Sequence, residues 1–158
     1  MKKNLLSLLC VLLLTGFAYA QPKPKVKTVI KLPKYELEKI LTGIGLPYQI
    51  VSDSLAVIPY EGNNIKNFQL VIQQIGDLYI VLSNLTEALP GKISESNHNY
   101  LLHQNNNFDI VKIGISDADN TVAVRADLYK VGTNTALLKR VIAQVATVTD
   151  LIGGDLNK

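Results

Sequence analysis

The sequence predicts an α+β fold in which helices pack on one antiparallel sheet. Short apolar segments follow one another and are joined by turn residues, a pattern typical of strands linked by hairpins. Near both ends of the chain, leucine, isoleucine and valine recur every three or four residues, a pattern typical of amphipathic helices. The order that results is α-β-β-β-β-α-β-β-α, and elements in such an order pack as a layer of helices on a sheet.

The first helix is predicted by apolar residues spaced at i, i+3, i+4 and i+7. These residues are Leu37, Ile40, Leu41 and Ile44. Pro33 fits the first turn of this helix, and Gly43 and Gly45 fit its end. Pro47 prevents the helix from continuing because proline lacks the amide hydrogen that the next turn needs.

Four strands are predicted next by four apolar segments. They cover residues 48–52, 55–60, 68–75 and 78–85. Asp53-Ser54 is a turn pair between the first two segments, and Gly76-Asp77 between the last two is a strong signal for a two-residue hairpin. Pro59 cannot donate a ladder hydrogen bond, so it marks an edge or the end of a strand.

A middle helix is predicted over residues 89–106, with Pro90 in its first turn and the asparagines that begin at Asn105 as its stop. Two further strands, over residues 108–116 and 121–130, are joined by a turn that is rich in Asp and Asn. In the second of these strands every other residue is apolar, which indicates one buried face. The apolar positions are Val122, Val124, Ala126 and Leu128.

The last helix has the clearest pattern in the chain. Its apolar stripe consists of Leu137, Leu138, Val141, Ile142, Val145, Val148 and Ile152. Thr133 or Asn134 fits the N-cap, and Gly153-Gly154 fits the stop. Small and apolar residues also lie off the stripe, so the helix is poor in charge. We therefore expect this helix, or the adjoining sheet edge, to contribute to a dimer or partner interface at Ala143 and Ala146.

Residues 1–20 have the three parts of a secretory signal peptide. Two lysines supply the positive charge, an apolar core follows, and Ala18 and Ala20 place small residues at the −3 and −1 positions. The apolar core falls below the ~20 residues that a membrane span needs, and Cys10 lies inside this core rather than at a lipid-attachment site. We expect cleavage between Ala20 and Gln21 and a periplasmic or secreted protein.

Charge is unevenly distributed over the exported chain. Residues 21–34 form a basic leader with five lysines and no acid, whereas residues 35–158, the predicted single domain, contain nine basic and thirteen acidic residues. This balance differs from the basic, aromatic surface that binds nucleic acid. The leader has two interpretations: a solvated flexible segment, which we favour, and a contact with an anionic membrane surface. The single cysteine leaves with the signal peptide, which excludes disulfides and thiolate chemistry.

Candidates for metal binding and catalysis are few. The two histidines, His98 and His103, are five residues apart, so on a helix they point ~140° away from each other. The turn that begins at Asp117 starts like a calcium loop, but Val122 stands where glycine is needed and Leu128 where glutamate belongs. No Gly-rich phosphate loop, nucleophile elbow or zinc-protease helix occurs in the sequence. We predict solvated histidines, an ordinary turn, no metal, no cofactor and no catalytic residue.

Arg125 is an unusual residue in a largely apolar strand. Its guanidinium could grip a carboxylate of a partner with two hydrogen bonds. The alternative, which we favour, is a pair with Asp127 or with an acid of a neighbouring strand such as Asp109. Together with Ala143 and Ala146, Arg125 completes the set of candidate partner-binding residues.

A set of short, core-forming motifs connects the middle helix, the last two strands and the final helix. The motifs are Leu101-Leu102, Asn105, Phe108, residues 112–115 and residues 122–128. In this order they resemble the YbjN-type domains and the bacterial type III secretion chaperones, which share one fold. The resemblance extends from about Tyr35 to Ile152. It implies a non-catalytic module, often dimeric, whose sheet and helices bind other polypeptides.

Secretion chaperones are cytosolic, whereas this chain is predicted to be exported, so a dedicated role in secretion does not transfer. We interpret the chain as an exported, non-catalytic module that binds protein or peptide, either chaperone-like or accessory to the cell envelope. The alternatives are a periplasmic carrier of a small ligand and a protein inhibitor of an enzyme. An apolar pocket between sheet and helices would favour the carrier, and an exposed apolar patch on the sheet or the last helix would favour a protein partner.

We predict that the mature protein begins at Gln21, because the small residues before it fit the narrow pockets of the signal peptidase. Intact-mass measurement of the exported protein should therefore give the mass of residues 21–158. A lipid-sized addition to that mass, or a retained leader, would contradict the prediction.

Overall fold

A six-stranded antiparallel sheet forms the framework of the computed structural model, which describes residues 34–116 and 118–158. In chain order the strands are β1 (Gln49–Ser52), β2 (Leu55–Tyr60), β3 (Phe68–Ile75), β4 (Leu78–Asn84), β5 (Lys112–Ile115) and β6 (Val122–Tyr129). Their spatial order is β1-β2-β3-β4-β6-β5. The elements belong to one compact unit.

Four α-helices and one 3₁₀ turn accompany the sheet within the described residues. They are α1 (Glu36–Thr42), α2 (Leu85–Ala88), α3 (Glu95–Gln104), the 3₁₀ turn Asn105–Asn107 and α4 (Thr135–Leu156). The predicted α+β class and the predicted order of elements are confirmed, with α2 as one addition. None of the described helices combines the length and the apolarity that crossing a bilayer requires.

Three sequence predictions fall on parts of the chain that the structure does not describe. The signal peptide, over residues 1–20, lies outside the described residues, as does the leader except for Lys34. Asp117, the first residue of the turn between β5 and β6, also lies outside them.

The core fills the space between the helices and one face of the sheet, which we call the inner face. Alternate residues of each strand point to this face, and the register places Ile72, Val81 and Ala126 side by side across β3, β4 and β6. The stripe of α4 packs on them, with Val141 and Val145 fully buried. Burying one such side chain stabilises the fold by ~1.5–3 kcal/mol. The alternation in β6 and the stripe in α4 therefore form as predicted.

Turn chemistry sets the hairpins as the sequence predicts. Gly76 has a positive φ of 52° between β3 and β4, a conformation that residues with a side chain rarely adopt.

Pro59 pairs with Gln69 of β3, but β1 pairs with β2 only from Leu55 to Val57. Pro59 is therefore unpaired on the β1 side, where its missing amide hydrogen costs nothing.

The middle helix begins later than predicted. Pro90 does not open it: this residue lies in a turn, and α3 starts at Glu95. The start is fixed by Ser94, whose backbone N–H and hydroxyl both donate to Oδ1 of Asn97. The contact between Ser94 and Asn97, and not the proline, therefore fixes where the helix begins. The short helix α2 was missed because four residues show no helical periodicity.

Gly153 and Gly154 do not stop the last helix, which continues through them to Leu156. A Cβ on Gly153 would overlap the side chain of Ile65, and a Cβ on Gly154 would press on Asn64. The glycines are therefore explained by the close approach of residues 61–67 to the helix. The sequence predicted that these glycines end the helix. Their actual role is to leave room for the loop that packs against the helix.

Asp150 fastens the same loop to α4. Its carboxylate accepts hydrogen bonds from the backbone N–H groups of Asn63, Asn64 and Ile65, at 3.0, 2.8 and 2.9 Å. Burial alone would raise the pKa of Asp150, but the hydrogen bonds from Ile65, Asn64 and Asn63 outweigh it and lower the pKa. The Asp150 carboxylate thus accepts hydrogen bonds from three backbone N–H groups of the loop that form no bond within a strand or helix.

The outer edge of β5 is closed by a side chain. Oδ1 of Asn105 accepts from the N–H of Ile113 at 2.6 Å, and Nδ2 of Asn105 donates to the carbonyl of the same residue at 2.9 Å. The amide therefore occupies the position of a further strand at Ile113, which protects an exposed edge from unwanted pairing. β5 spans only Lys112–Ile115, whereas the sequence predicted a strand over residues 108–116.

We predict that Asp150→Asn lowers the free energy of unfolding by about 2 kcal/mol, since a neutral amide accepts these bonds less well and turns two hydrogens toward the donors. The folded pKa of Asp150 is lowered, so its contribution is complete above the ordinary value of 3.8 and is lost as the pH falls through the lowered value. Urea denaturation between pH 2 and 7 measures both effects.

Asp155→Asn is the matched control, because Asp155 lies on the same helix and its carboxylate bonds to the exposed Lys158 and to Tyr100. Loss of an exposed ion pair is expected to cost less than ~1 kcal/mol. Equal destabilisation by the two variants would contradict the role given to Asp150.

Candidate functional site

The face of the sheet opposite the helices, which we call the open face, is apolar over its central strands. In the described structure, its apolar side chains are absent from the hydrophobic core cluster beneath the helices. They are Leu55, Val57, Val71, Ile75, Leu78, Ile80, Leu82 and Tyr129. A sheet with helices on one side usually carries polar residues on the other side, so this face is a candidate interface.

The strand register joins these side chains into continuous rows. Val57, Val71 and Leu82 stand side by side across β2, β3 and β4. A second row joins Ile75, Leu78 and Tyr129 at one end of the same strands. Neighbours within each row have Cβ atoms ~5 Å apart. The row between these two joins Leu55, Gln73 and Ile80, so Gln73 is the polar side chain that lies between the apolar rows on β3.

Exposure differs strongly along the open face. Ile75 and Tyr129 are 50% and 74% exposed, and the residues between them and β2 are half-buried. Ile80 is only 5% exposed although it does not belong to the core cluster. The central side chains of the open face are therefore half-buried or buried, whereas Ile75 and Tyr129 at one end are exposed.

A groove on the other side of the molecule is the second candidate surface. It lies between α4 and residues 107–111 and has a volume of about 450 Å³. Its α4 wall presents residues spaced by three and four along one line. They are Arg140, Ala143, Gln144, Thr147 and Leu151. Asp109 and Ile110 stand on the opposite wall, and we call this surface the α4 groove.

Comparison with known proteins places this fold beside two solved structures. No protein-family model matches the sequence, and no curated protein matches it. The crystal structure of YbjN from E. coli, a candidate transcription regulator, aligns with a TM-score of 0.53 and 14% identity over 77% of this chain and 88% of that one. The ExsC–ExsE complex, a type III secretion chaperone complex, gives a TM-score of 0.51 and 9% identity over 73% and 86%.

The chain has a YbjN-type, type III secretion chaperone-like fold. The resemblance inferred from the sequence motifs is thereby confirmed. At 14% and 9% identity the likeness concerns the fold alone. One neighbour is a candidate regulator and the other a chaperone complex, and neither is described as an enzyme.

In this YbjN-type fold Arg125 lies on the open face beside Leu82. Its Nε and Nη2 donate to the two carboxylate oxygens of Asp127 at 2.7 and 3.0 Å. The hydrogen bond from Arg125 to Asp127 raises the pKa of the guanidinium. The favoured pair with Asp127 is confirmed, because residues i and i+2 of a strand share a face. A role of Arg125 in partner binding stays a prediction.

The two candidate alanines of α4 have different surroundings. Ala143 is exposed and lines the α4 groove, whereas Ala146 is fully buried in the core. Ala146 therefore cannot contact a partner in this structure, since the helix turns that position toward the inner face of the sheet. The YbjN-type fold also places Arg125 and Ala143 on opposite sides of the molecule, so they do not form one site.

Of the two histidines predicted to be solvated, His103 is exposed and His98 is half-buried, and both lie on α3. The described part of the β5–β6 turn has local hydrogen bonds typical of a turn. Oδ1 of Asp119 accepts from the N–H of Thr121 at 3.1 Å, and side-chain hydrogen bonds from Ser116 and Thr121 lower the pKa of Asp119. Within the described residues, no three His, Cys, Asp or Glu side chains cluster as metal ligands would.

Sequence reasoning missed the open face, although one signal was present. β4 is apolar at nearly every position from Leu78 to Leu82, without the alternation seen in β6. A continuous apolar strand indicates that both of its faces are covered. The helices of the described structure cover only one face of β4. The apolar sequence of β4 therefore indicated a second apolar face that these helices leave uncovered.

We predict that replacing His98 and His103 together by alanine leaves the free energy of unfolding within ~0.5 kcal/mol, as is usual for substitutions on the surface. Urea denaturation and elemental analysis of the purified protein check this. A metal present in stoichiometric amount and lost in the double variant would contradict it.

Proposed function

We propose that this chain is an exported, non-catalytic module that binds polypeptides through the open face of its sheet. The observation that carries the proposal is the set of apolar rows on β2, β3 and β4, which lie outside the core and on the side opposite the helices. Apolar area of this kind gains ~25 cal/mol per Å² when a partner covers it.

The shape of the open face suits a polypeptide better than a small molecule. The rows run across several strands and end in Ile75 and Tyr129, which stand out from the surface. A flat apolar surface gives a small ligand little enclosure, whereas a helix or an extended segment can cover it with several side chains. Gln73, in register with Ile80, adds an amide that can bond to a backbone beside the apolar rows.

The charges on the open face suit a partner with few charges at the centre of its interface. Arg125 and Asp127 satisfy each other at its border, and Lys112 stands next to Arg125 in the register of β5 and β6. The centre of the face, on β3 and β4, is uncharged: it consists of Val71, Ile80 and Leu82 with the amide of Gln73. Charges at the rim with an apolar centre are the usual anatomy of a protein interface.

A carrier for a small ligand is the alternative that the packing disfavours. Between sheet and helices, the described side chains from both layers are fully buried, among them Leu70, Leu101 and Ile142. The α4 groove lies between α4 and residues 107–111, and another described cleft lies beside the ends of β2 and β3. The space where a carrier would hold its ligand is therefore filled by core.

Export and the absence of catalysis complete the proposal. Export is supported by the signal-peptide pattern of residues 1–20. Polypeptide binding is supported by the fold shared with the ExsC–ExsE complex, which is itself an assembly of protein chains. An envelope accessory factor or a chaperone of exported proteins fits both the compartment and the surface.

We predict that Ile75→Glu/Tyr129→Glu weakens binding of the envelope partner at least tenfold, because two charges must then be buried against apolar groups. Partners are first identified by photo-crosslinking from position 129 of the mature protein in intact cells. The dissociation constant of the purified partner is then measured for both forms. The fold should persist, since both side chains are exposed.

Leu102→Glu provides the matched control, since Leu102 is 45% exposed and lies on α3, on the helical side. It introduces the same charge and should leave the dissociation constant within twofold. Equal weakening by the control, or no crosslink from position 129, would refute binding through the open face.

A further inference from the structure

We infer that one end of this protein lies on a lipid bilayer whose surface carries anionic headgroups. This end, which we call the leader end, consists of Lys34, Ile75, Tyr129 and Val131. It combines exposed apolar side chains with the point where the basic leader joins the folded domain. Apolar contact and positive charge are two signals that together hold a protein on a membrane surface. The inference goes beyond the proposed function, because it involves no polypeptide partner.

Three exposed apolar side chains meet at the leader end. Val131 is 90% exposed in the turn between β6 and α4, and Tyr129 and Ile75 are 74% and 50% exposed. The backbone N–H of Lys130 donates to the carbonyl of Asp77 at 2.8 Å, which holds this turn beside the β3–β4 hairpin. Single exposed apolar residues are common on proteins, whereas a group of them marks a contact surface.

The start of α1 is held at the same end of the sheet. Oε2 of Glu36, the first residue of α1, accepts hydrogen bonds from Nζ of Lys130 at 3.0 Å and from Nε2 of Gln74 at 3.2 Å. Lys130 and Gln74 are the chain neighbours of Tyr129 and Ile75. The chain that precedes α1 therefore joins the domain where the exposed apolar side chains lie.

Lys34 is the last residue of the leader and is held at the first turn of α1. Its backbone N–H donates to Oε2 of Glu38 at 2.7 Å, and its Nζ lies 5.0 Å from the centre of the Tyr35 ring. The other lysines of the leader all fall within the eleven residues before Lys34. A chain of that length spans at most ~40 Å, so each of these lysines can reach a surface that the leader end contacts.

The leader supplies the charge that selects an anionic surface. In residues 34–39, 75–78 and 129–131 there are three lysines and three acids. The leader before Lys34 adds four lysines and no acid: Lys23, Lys25, Lys27 and Lys31. Each lysine near an anionic bilayer raises the partition coefficient about fivefold. A bilayer of neutral lipids lacks this attraction and should bind the protein weakly.

A lipid surface fits the leader end better than a soluble polyanion does. A polyanion would engage the lysines but leave Val131 and its neighbours in water. A bilayer meets both features, because its headgroups attract the lysines and its interface accepts apolar side chains, tyrosine in particular. The sequence alone favoured a solvated leader, and the exposed turn beside Lys34 is the observation that the structure adds. Val131 belongs to none of the rows of the open face, so the centre of that face stays available.

Binding of the purified mature protein to vesicles tests the inference. Vesicles of phosphatidylglycerol and phosphatidylcholine should bind it, vesicles of phosphatidylcholine alone should not, and added salt should release it by screening the charges. Replacing the four lysines before Lys34 by glutamine should weaken binding at least tenfold, whereas replacing them by arginine should leave it within threefold. No binding to the phosphatidylglycerol vesicles at low salt, or equal binding of the glutamine variant, overturns the inference.

Val131→Glu tests the apolar contact, with Leu151→Glu as the matched control. Leu151 is 51% exposed and lies sixteen residues into α4, about 24 Å from the first residue of the helix. Val131→Glu should weaken vesicle binding at least fivefold, and the control should leave it within twofold. Circular dichroism should show that both variants fold, since both side chains are exposed. Unchanged binding of Val131→Glu, with binding lost in the glutamine variant, would indicate attraction to any polyanion and overturn the inference.

Val131→Trp provides a direct probe of the contact, because the chain contains no tryptophan. Its fluorescence should shift to shorter wavelength on phosphatidylglycerol vesicles and should be quenched by brominated lipids, whereas the fluorescence of Leu151→Trp should not change. A bound Val131→Trp protein with unshifted fluorescence would overturn the assignment of this turn to the bilayer.

The vesicle measurements contain no protein partner, which separates this inference from the proposed function. In the absence of lipid, Val131→Glu should bind the envelope partner with a dissociation constant within twofold of wild type. Vesicle binding by a protein that has no polypeptide partner would refute the proposed function and support the inference. Partner binding by a protein that ignores anionic vesicles would do the reverse.

Discussion

Burial of the inner face of the sheet beneath α4 is the interaction on which the other features depend. Val141, Val145 and the rest of the stripe close over β4 and β6, and both layers reach complete burial there. The loop before β3 is then drawn against the helix, where Asp150 satisfies three of its backbone amides. The glycines at the end of α4 follow from the same contact, because a side chain at either position would push the loop away.

This packing also determines what is left for function. A single layer of described helices covers one face of the sheet, yet β4 is apolar on both faces, so Ile80 and Leu82 point away from the core. On the helical side, the outer stripe of α4 faces residues 107–111 across the α4 groove. Both candidate surfaces thus lie on the outside of a two-layer fold. They carry exposed apolar side chains that the fold does not need for its own stability.

The parts of the fold that depend on local chemistry were predictable from the sequence. Gly76 predicted a hairpin, and the alternation of apolar residues in β6 predicted its buried face. The spacing of apolar residues in α4 predicted its buried stripe. Each of these signals depends only on residues close together in the sequence. Features that depend on distant contacts were not predictable. Ala146 and Ala143 are alike in sequence but face opposite ways, and Gly153 resembled a helix stop until the loop beside it was located. The open face required knowing which strands lie together and which of their sides the helices cover.

Methyl NMR of the mature protein, titrated with the partner obtained by crosslinking, tests the central proposal most directly. Leu82 and Val71 point to the open face, whereas Val145 and Ile142 are buried residues of α4. Binding through the open face predicts that the methyl signals of Leu82 and Val71 shift or broaden at substoichiometric partner, while those of Val145 and Ile142 stay in place. The opposite pattern, or uniform change in all four residues, would contradict it.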